Sequence, residues 1–285
     1  METQIDKKKI EKGLYIVSTP IGNLSDITFR ALEVLKNSDY VLCEDTRVIR
    51  KLLNFYNIKS NLISNHKFNE IKNLKKIREI LRADKIISLV SDEGTPLVSD
   101  PGKIILEDCI KNNIKVIPIP GVSSPITAIS VSGFSNNFYF HGFLSSKYSE
   151  AEKELNICSK LSCSIVFFLS AKKINKTIPL IKKYYNNRKI VICREMTKYF
   201  EQFVRTEVKN LKEFDQNIKG EITIVISEET LVKNSSEKLT ESDKNRIKML
   251  INKLSIKDIT EIISYENKVS KSHIYKYCLK LKNDK

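Results

Sequence analysis

The strongest constraint on the fold is the alternation, over the first 120 residues, of short apolar runs with amphipathic stretches of helical length. Runs predicted as strands lie at 14–21 (LYIVSTPI), 40–45, 61–66, 85–92 and 115–121. Between them, 26–37, 46–56, 69–83 and 102–112 carry helical periodicity; Ile27, Ala31, Val34 and Leu35 share one face of the first. Ser25, Thr46 and Asn69 stand where N-caps are expected. Strands joined through helices need crossover connections, which predicts a mainly parallel sheet and an α/β domain over 14–122.

From 123 to 230 the pattern changes. A small-residue helix (124–132), FYFHGFLS, a charged helix (147–161), SIVFFLS and a helix at 171–185 precede KIVICREMT, QFVRTEV and EITIVIS. Consecutive strands without helices predict a mixed sheet with antiparallel members, and so a second α/β domain. Residues 1–13 read as a charged extension and 229–242 as a polar linker. The tail, 231–285, holds three short helices, striped by Ile247, Leu250, Ile251 and Leu254, by Ile256, Ile259 and Ile263, and by Ile274, Tyr277, Cys278 and Leu281. The last two flank YENKVS as in a helix-turn-helix, with Ser270 as a cap.

A formal charge of +15 suits a polyanionic partner. The excess of Lys over Arg also follows from AT-rich coding, so charge alone does not decide. The tail is denser in charge, with +6 in 55 residues against +9 in the preceding 230. Lys271, Lys276 and Lys280, with His273, are expected on the exposed side of the final helix, suited to RNA phosphates; the bland alternative is a solvated helical cap. Six scattered cysteines without a C-x-x-C pair read as small buried hydrophobes of a reducing compartment, not as metal ligands. No run reaches the ~20 apolar residues of a membrane span, and the N-terminus has no signal core. A cytoplasmic location with no membrane partner is expected.

Four loops fall at the carboxyl ends of the predicted parallel strands: STPIGNL (18–24), CEDTR (43–47), SDEGTPLVSDPG (91–102) and IPGVSS (119–124). That edge is where open α/β sheets bind ligands. Neither G-x-G-x-x-G after the first strand nor a P-loop is present, which disfavours an ordinary dinucleotide fold or nucleotide hydrolase.

These loops, with LYIVSTPIGNLSDITFRALEVL, HKFNE (66–70), HGFLS, CREMTKYFE (193–201) and GEITIVI (220–226), resemble the tetrapyrrole methylase superfamily. The closer similarity is to its ribosomal RNA branch, which 2′-O-methylates the ribose of a cytidine in the decoding region of 16S rRNA. The resemblance covers 14–285. It implies a two-domain methylase binding S-adenosyl-L-methionine in the cleft between domains, a homodimeric state, and 16S rRNA or the small ribosomal subunit as partner. Carried over, Ser91, Asp92, Glu93, Gly94, Thr95, Ser123 and Ser124 would hold the cofactor, with Leu169, Met196 and Thr197 closing over it. The chain departs from the family where Phe168, Leu169 and Ser170 replace a polar segment, where Glu93 replaces a small residue, and where His141 replaces an acid.

A ribose hydroxyl needs a proton acceptor to become nucleophilic. By loop position the candidates are Glu44, Asp45, His66, Glu70 and Glu195, of which Asp45, Arg47 and His66 are favoured for catalysis or cleft organisation. Arg47 and Arg194 would hold phosphates. Each has a bland counterpart: Asp45 and Arg47 bracing a turn, His66 as a hydrogen-bonded surface histidine, Arg194 and Glu195 as a structural pair. Two other functions stay open at this point. One is the same fold acting on a tetrapyrrole or another non-RNA substrate; the other is a non-catalytic nucleic-acid-binding factor.

Overall fold

A computed structural model describes residues 10–215, 218–229, 239–267 and 269–283. In the first half β1 (Gly13–Val17), α1 (Phe29–Asn37), β2 (Tyr40–Cys43), α2 (Thr46–Phe55), β3 (Asn61–Ser64), α3 (Glu70–Arg82), β4 (Ile86–Val90), α4 (Lys103–Lys111) and β5 (Val116–Ile119) follow in turn. All five strands pair in parallel, in the order β3-β2-β4-β1-β5. The strands are apolar on both faces because both are covered. Tyr15, Val17, Val41 and Cys43 pack against α1 and α2. Leu14, Leu42, Ile87 and Leu89 pack against α3 and α4 on the other face.

Two of the expected caps move. Ser25 lies inside a 3-10 turn, Leu24–Asp26, capped by Asn23; α1 is capped by Thr28, whose hydroxyl accepts from Ala31 N at 3.1 Å. For α2 the cap is Asp45 rather than Thr46, since Asp45 has extended backbone and its carboxylate accepts from Arg47 N at 2.8 Å. Asn69 does occupy the α3 N-cap, but its Oδ1 accepts from His66 N instead. Thr28→Ala is expected to cost about 1 kcal/mol, lowering the thermal midpoint by roughly 2–4 °C in calorimetry. An unchanged midpoint would show that the helix start is held by packing alone.

The second half contains α5 (Ser124–Ser132), β6 (Phe138–Phe143), α6 (Tyr148–Ser159), β7 (Ser164–Ser170), α7 (Ile174–Tyr185), β8 (Lys189–Arg194), β9 (Gln202–Glu207) and β10 (Glu221–Ile226). Its sheet runs β6-β7-β10-β8-β9, with β6 parallel to β7 and the other pairs antiparallel, a mixed sheet. Ile165, Ile192 and Ile224 bury one face against Leu155, Ile178 and Ile181 of α6 and α7. On the other face Val166, Val191 and Val225 meet Ala128 of α5 and Ile21 from the loop after β1. That shared core joins the two sheets within one compact unit, which ends at Glu229.

Most of the expected linker, 230–238, lies outside the described residues, as do 1–9 of the N-terminal extension. The second unit contains α8 (Glu241–Leu250), α9 (Ile256–Asn267) and α10 (Lys271–Asn283). α8 begins inside the stretch read as linker, because Thr240 and Asp243 form a reciprocal capping box. Ile247, Ile251, Ile259, Ile263, Val269, Ile274 and Cys278 form this unit's buried core; of the other striped positions, Leu250, Ile256, Tyr277 and Leu281 pack partly buried against it and Leu254 is exposed. Lys271, His273, Lys276 and Lys280 are exposed. Residue 268, in the YENKVS turn, is outside the described residues.

All six cysteines are free thiols, five buried and Cys163 half-buried. Among the described residues no helix is long and apolar enough to cross a membrane.

Candidate active site

Three of the four loops are knitted together at the carboxyl edge of the parallel sheet. Thr19 and Gly94 exchange backbone hydrogen bonds of 2.9 and 3.1 Å, tying the loop after β1 to the loop after β4. The buried Ser91 hydroxyl donates to Gly94 O at 2.9 Å, closing that loop on itself. Thr95 Oγ1 donates to Val122 O at 2.8 Å and lies 3.1 Å from Ser18 Oγ, so the loop after β5 joins the set. Gly94 has φ +82°, a conformation open to glycine at little cost. The fourth loop docks through Asp45, whose backbone N–H donates to the Asp92 carboxylate at 3.1 Å.

Between these loops and the edge of the mixed sheet lies a cavity of about 380 Å³. Asp92, Glu93, Gly94, Thr95, Ser99 and Asp100 line it from the first half; Ser123, Ser124 and Pro125 bring the start of α5. From the second sheet come Phe143, Phe168, Leu169 and Ser170, and then Gly220, Glu221, Ile222 and Thr223. One wall is therefore acidic, and another is aromatic, where Phe168 meets Phe140 and Phe143 at ring separations of 5.0 and 5.1 Å. The departure at Phe168–Ser170 leaves that segment in the cavity wall, lending it apolar surface instead of polar groups.

The acidic wall has two parts. Asp100 is half-buried, and its carboxyl is pushed up to about 6 by burial and by Glu44, Asp92 and Glu221. Burial also raises Asp92, against the hydrogen bond it accepts from the Asp45 backbone N–H. Glu93 and Glu221 share Lys198, whose Nζ lies 3.1 and 3.0 Å from their carboxylates and 3.7 Å from Glu195. Desolvation, then the hydrogen-bonded Glu221, push Glu93 up to about 8. Glu221 is held low by Glu93 and Lys198, which outweigh its own desolvation. Lys198 comes from the β8–β9 loop, where Glu195 and Thr197 have φ of +50° and +65°. Such backbone costs of order 1–3 kcal/mol per residue and persists where the surroundings over-determine it. Here Glu201 accepts from Thr197 N at 2.7 Å and Glu195 from Glu221 N at 3.0 Å.

Of the residues expected around a cofactor, Asp92, Glu93, Gly94, Thr95, Ser123, Ser124 and Leu169 line the cavity. Ser91 lies beneath, shaping the loop. Met196 and Thr197 are not among the lining residues: Met196 is buried in the shared core, and Thr197 Oγ1 accepts from Asn23 N at 3.0 Å. Of the catalytic candidates, Asp45 and Arg47 clasp one another at 2.6 Å on the turn, and Arg47 holds the Asp45 carboxyl down at about 2. An acid that strong is a poor proton acceptor near neutrality. His66 Nδ1 accepts from Phe68 N at 3.2 Å and braces its own loop. Glu70 is buried and caps α4, accepting from Ile104 N and Ile105 N. The Arg194–Glu195 pair does not form; Arg194 Nε donates to Lys219 O at 2.9 Å. Lining residues the sequence reading missed are Val98, Ser99, Asp100, Pro125, Phe143 and the Gly220–Thr223 segment.

Residues 13–212 match the model of the Tetrapyrrole (Corrin/Porphyrin) Methylases. A "Ribosomal RNA small subunit methyltransferase I" of Rickettsia prowazekii is 38% identical over 272 residues, 93% of this chain and 96% of that one. The protein of that description from Bacillus subtilis is 39% identical over 75% of this chain and 74% of its own. Among solved structures, a diphthine synthase superposes with TM-score 0.60 at 15% identity, over 75% of this chain and 89% of that one. A uroporphyrin-III C-methyltransferase from Thermus thermophilus, complexed with S-adenosylhomocysteine, gives 0.55 at 15%, over 75% and 97%. The chain belongs to the tetrapyrrole methylase family, and it is a methyltransferase.

Proposed function

We propose that this chain is an S-adenosyl-L-methionine-dependent methyltransferase of small-subunit ribosomal RNA, and that its acceptor is the ribose 2′-oxygen of a cytidine in the decoding region. The observation that carries the substrate is the near-full-length identity of 38% to a small-subunit rRNA methyltransferase. Motifs of the rRNA branch support the finer assignment. A cytoplasmic, homodimeric enzyme acting on 16S rRNA or the small subunit follows from the same resemblance.

The cavity suits the donor. Its size admits a nucleoside-like molecule. Phe143, Phe168 and Leu169 offer apolar surface to an adenine, and the acidic wall offers anionic groups to a sulfonium. The start of α5 presents backbone N–H groups to a carboxylate. Bound there, S-adenosylmethionine supplies an electrophilic methyl group. The chain's own work is alignment, which governs in-line displacement. The knitted loops fix the donor side, and Asp100 holds positive charge at the cavity wall. Arg47 and Arg194 at the loops, with Lys271, Lys276 and Lys280 on α10, are proposed to hold RNA phosphates.

The test is methylation of small subunits lacking the mark, with labelled donor and mapping of 2′-O-methylated positions. Label appearing on a base, on a tetrapyrrole, or nowhere would overturn the reading. Converting Lys271, Lys276 and Lys280 together to glutamine is expected to weaken rRNA binding several-fold and to lower the slope of log affinity against log salt by roughly 2. Donor affinity should hold. An unchanged salt slope would leave α10 as a structural element only.

A further inference from the structure

Resting on that rRNA reading, we propose that Tyr199 and Phe200 form a base-stacking platform for the RNA strand that carries the acceptor ribose. Tyr199 is 94% exposed and Phe200 67% exposed, on the strained loop between β8 and β9. Their rings meet edge to face, 5.0 Å apart and 89° between planes. That arrangement leaves ring faces open to a flat partner.

Position ties the pair to the cavity. The preceding residue, Lys198, is ion-paired to Glu93 and Glu221, both of which line it. Thr197 is bonded to the loop after β1 through Asn23. The backbone is held at positive φ by Glu195 and Glu201, so the loop turns Lys198 inward and leaves both rings in solvent. A strand resting on them lies at the cavity rim, where the acceptor must enter.

Chemistry favours a nucleic acid as occupant. Every base has a π-face, and stacking on aromatic side chains is tolerant of sequence. Arg194, at the start of the loop that carries the rings, donates to Lys219 O, so two cationic residues meet at the foot of that loop, where phosphates could be met. Two side chains alone fall far short of the ~1,200–2,000 Å² of a stable protein interface.

The chain contains no tryptophan, so Phe200→Trp installs a single fluorescent reporter. Its emission should be quenched on titration with a single-stranded cytidine-rich oligoribonucleotide and unaffected by S-adenosylhomocysteine. The double variant Tyr199→Leu, Phe200→Leu keeps the bulk but removes the π-faces. Its KM for small subunits should rise roughly tenfold to a hundredfold, with S-adenosylhomocysteine affinity unchanged and Phe200→Trp retaining the low KM. Unquenched emission at saturating RNA, or an unaltered KM in the double variant, would overturn the platform. So would a change in oligomeric mass by light scattering with KM intact, which would assign the rings to a second copy of the chain. Failure of the wild-type enzyme to methylate rRNA would overturn the underlying reading, and this proposal with it, in a separate assay.

Discussion

Asp100→Asn should bind S-adenosylmethionine about thirtyfold more weakly than the unaltered chain. The carboxylate lines the cavity, is half-buried, and stands near Glu44, Asp92 and Glu221 rather than beside a cation. A charged contact in such a setting is worth about 2 kcal/mol, which converts to that ratio. The same group sets a pH dependence. Its carboxyl is pushed up to about 6, so its contribution to donor affinity should fall as pH drops through 6, separately from any change near 8, where Glu93 exchanges its proton. The variant should show no such fall. Stability runs the other way. The folded chain holds this proton more tightly than the unfolded one, so the group's contribution is greatest at or below its ordinary pKa and fades as pH rises through about 6. With solvent screening allowed for, Asp100→Asn should gain about 1 kcal/mol at pH 8 in urea unfolding. Titration calorimetry between pH 5 and 8 decides the matter. Equal donor affinity for the two proteins at pH 8 would remove Asp100 from the site.

Gly22→Ala is the second large effect. A Cβ at Gly22 would lie 2.7 Å from Thr197 Oγ1 and 2.9 Å from the Met196 carbonyl, and would also run into the Lys198 side chain. The lysine stem can swing aside; the carbonyl and the threonine belong to a backbone already at positive φ. The β8–β9 loop must therefore retreat from the loop after β1, moving Lys198 away from Glu93. Displacements approaching 1 Å near a transfer site can cost about 100-fold in rate. The expected result is that loss in single-turnover methyl transfer, with a fall of only a few degrees in thermal midpoint. A normal rate would mean that the two loops need not touch during transfer.

Much of the architecture was legible because it is local. Strand runs covered on both faces, and helices with one buried stripe, carry their periodicity in the chain itself, and the change to a mixed sheet showed where helices between strands ceased. Caps were less legible. Ser25 and Thr46 have the right side chains, but the 3-10 turn after Asn23 and the extended backbone at Asp45 shift the start by one to three residues. The SDEGTP loop, Ser123, Ser124 and Leu169 were placed in the cavity through resemblance. Asp100 was passed over because SDPG reads as turn chemistry, and nothing adjacent shows that its carboxylate faces a cavity. Glu221 and Thr223 are contributed by a strand whose neighbours, β7 and β8, lie far away in sequence. Glu70 and His66 look like chemistry in a string of letters and serve as braces in three dimensions.

The paired backbone bonds between Thr19 and Gly94 have a thermodynamic corollary. Two loops fastened to each other in the bare protein have little freedom left to lose when a small molecule arrives. Ordering entropy on that side is already spent during folding, so the demand for motion shifts to the other partner, the large and initially stacked polynucleotide.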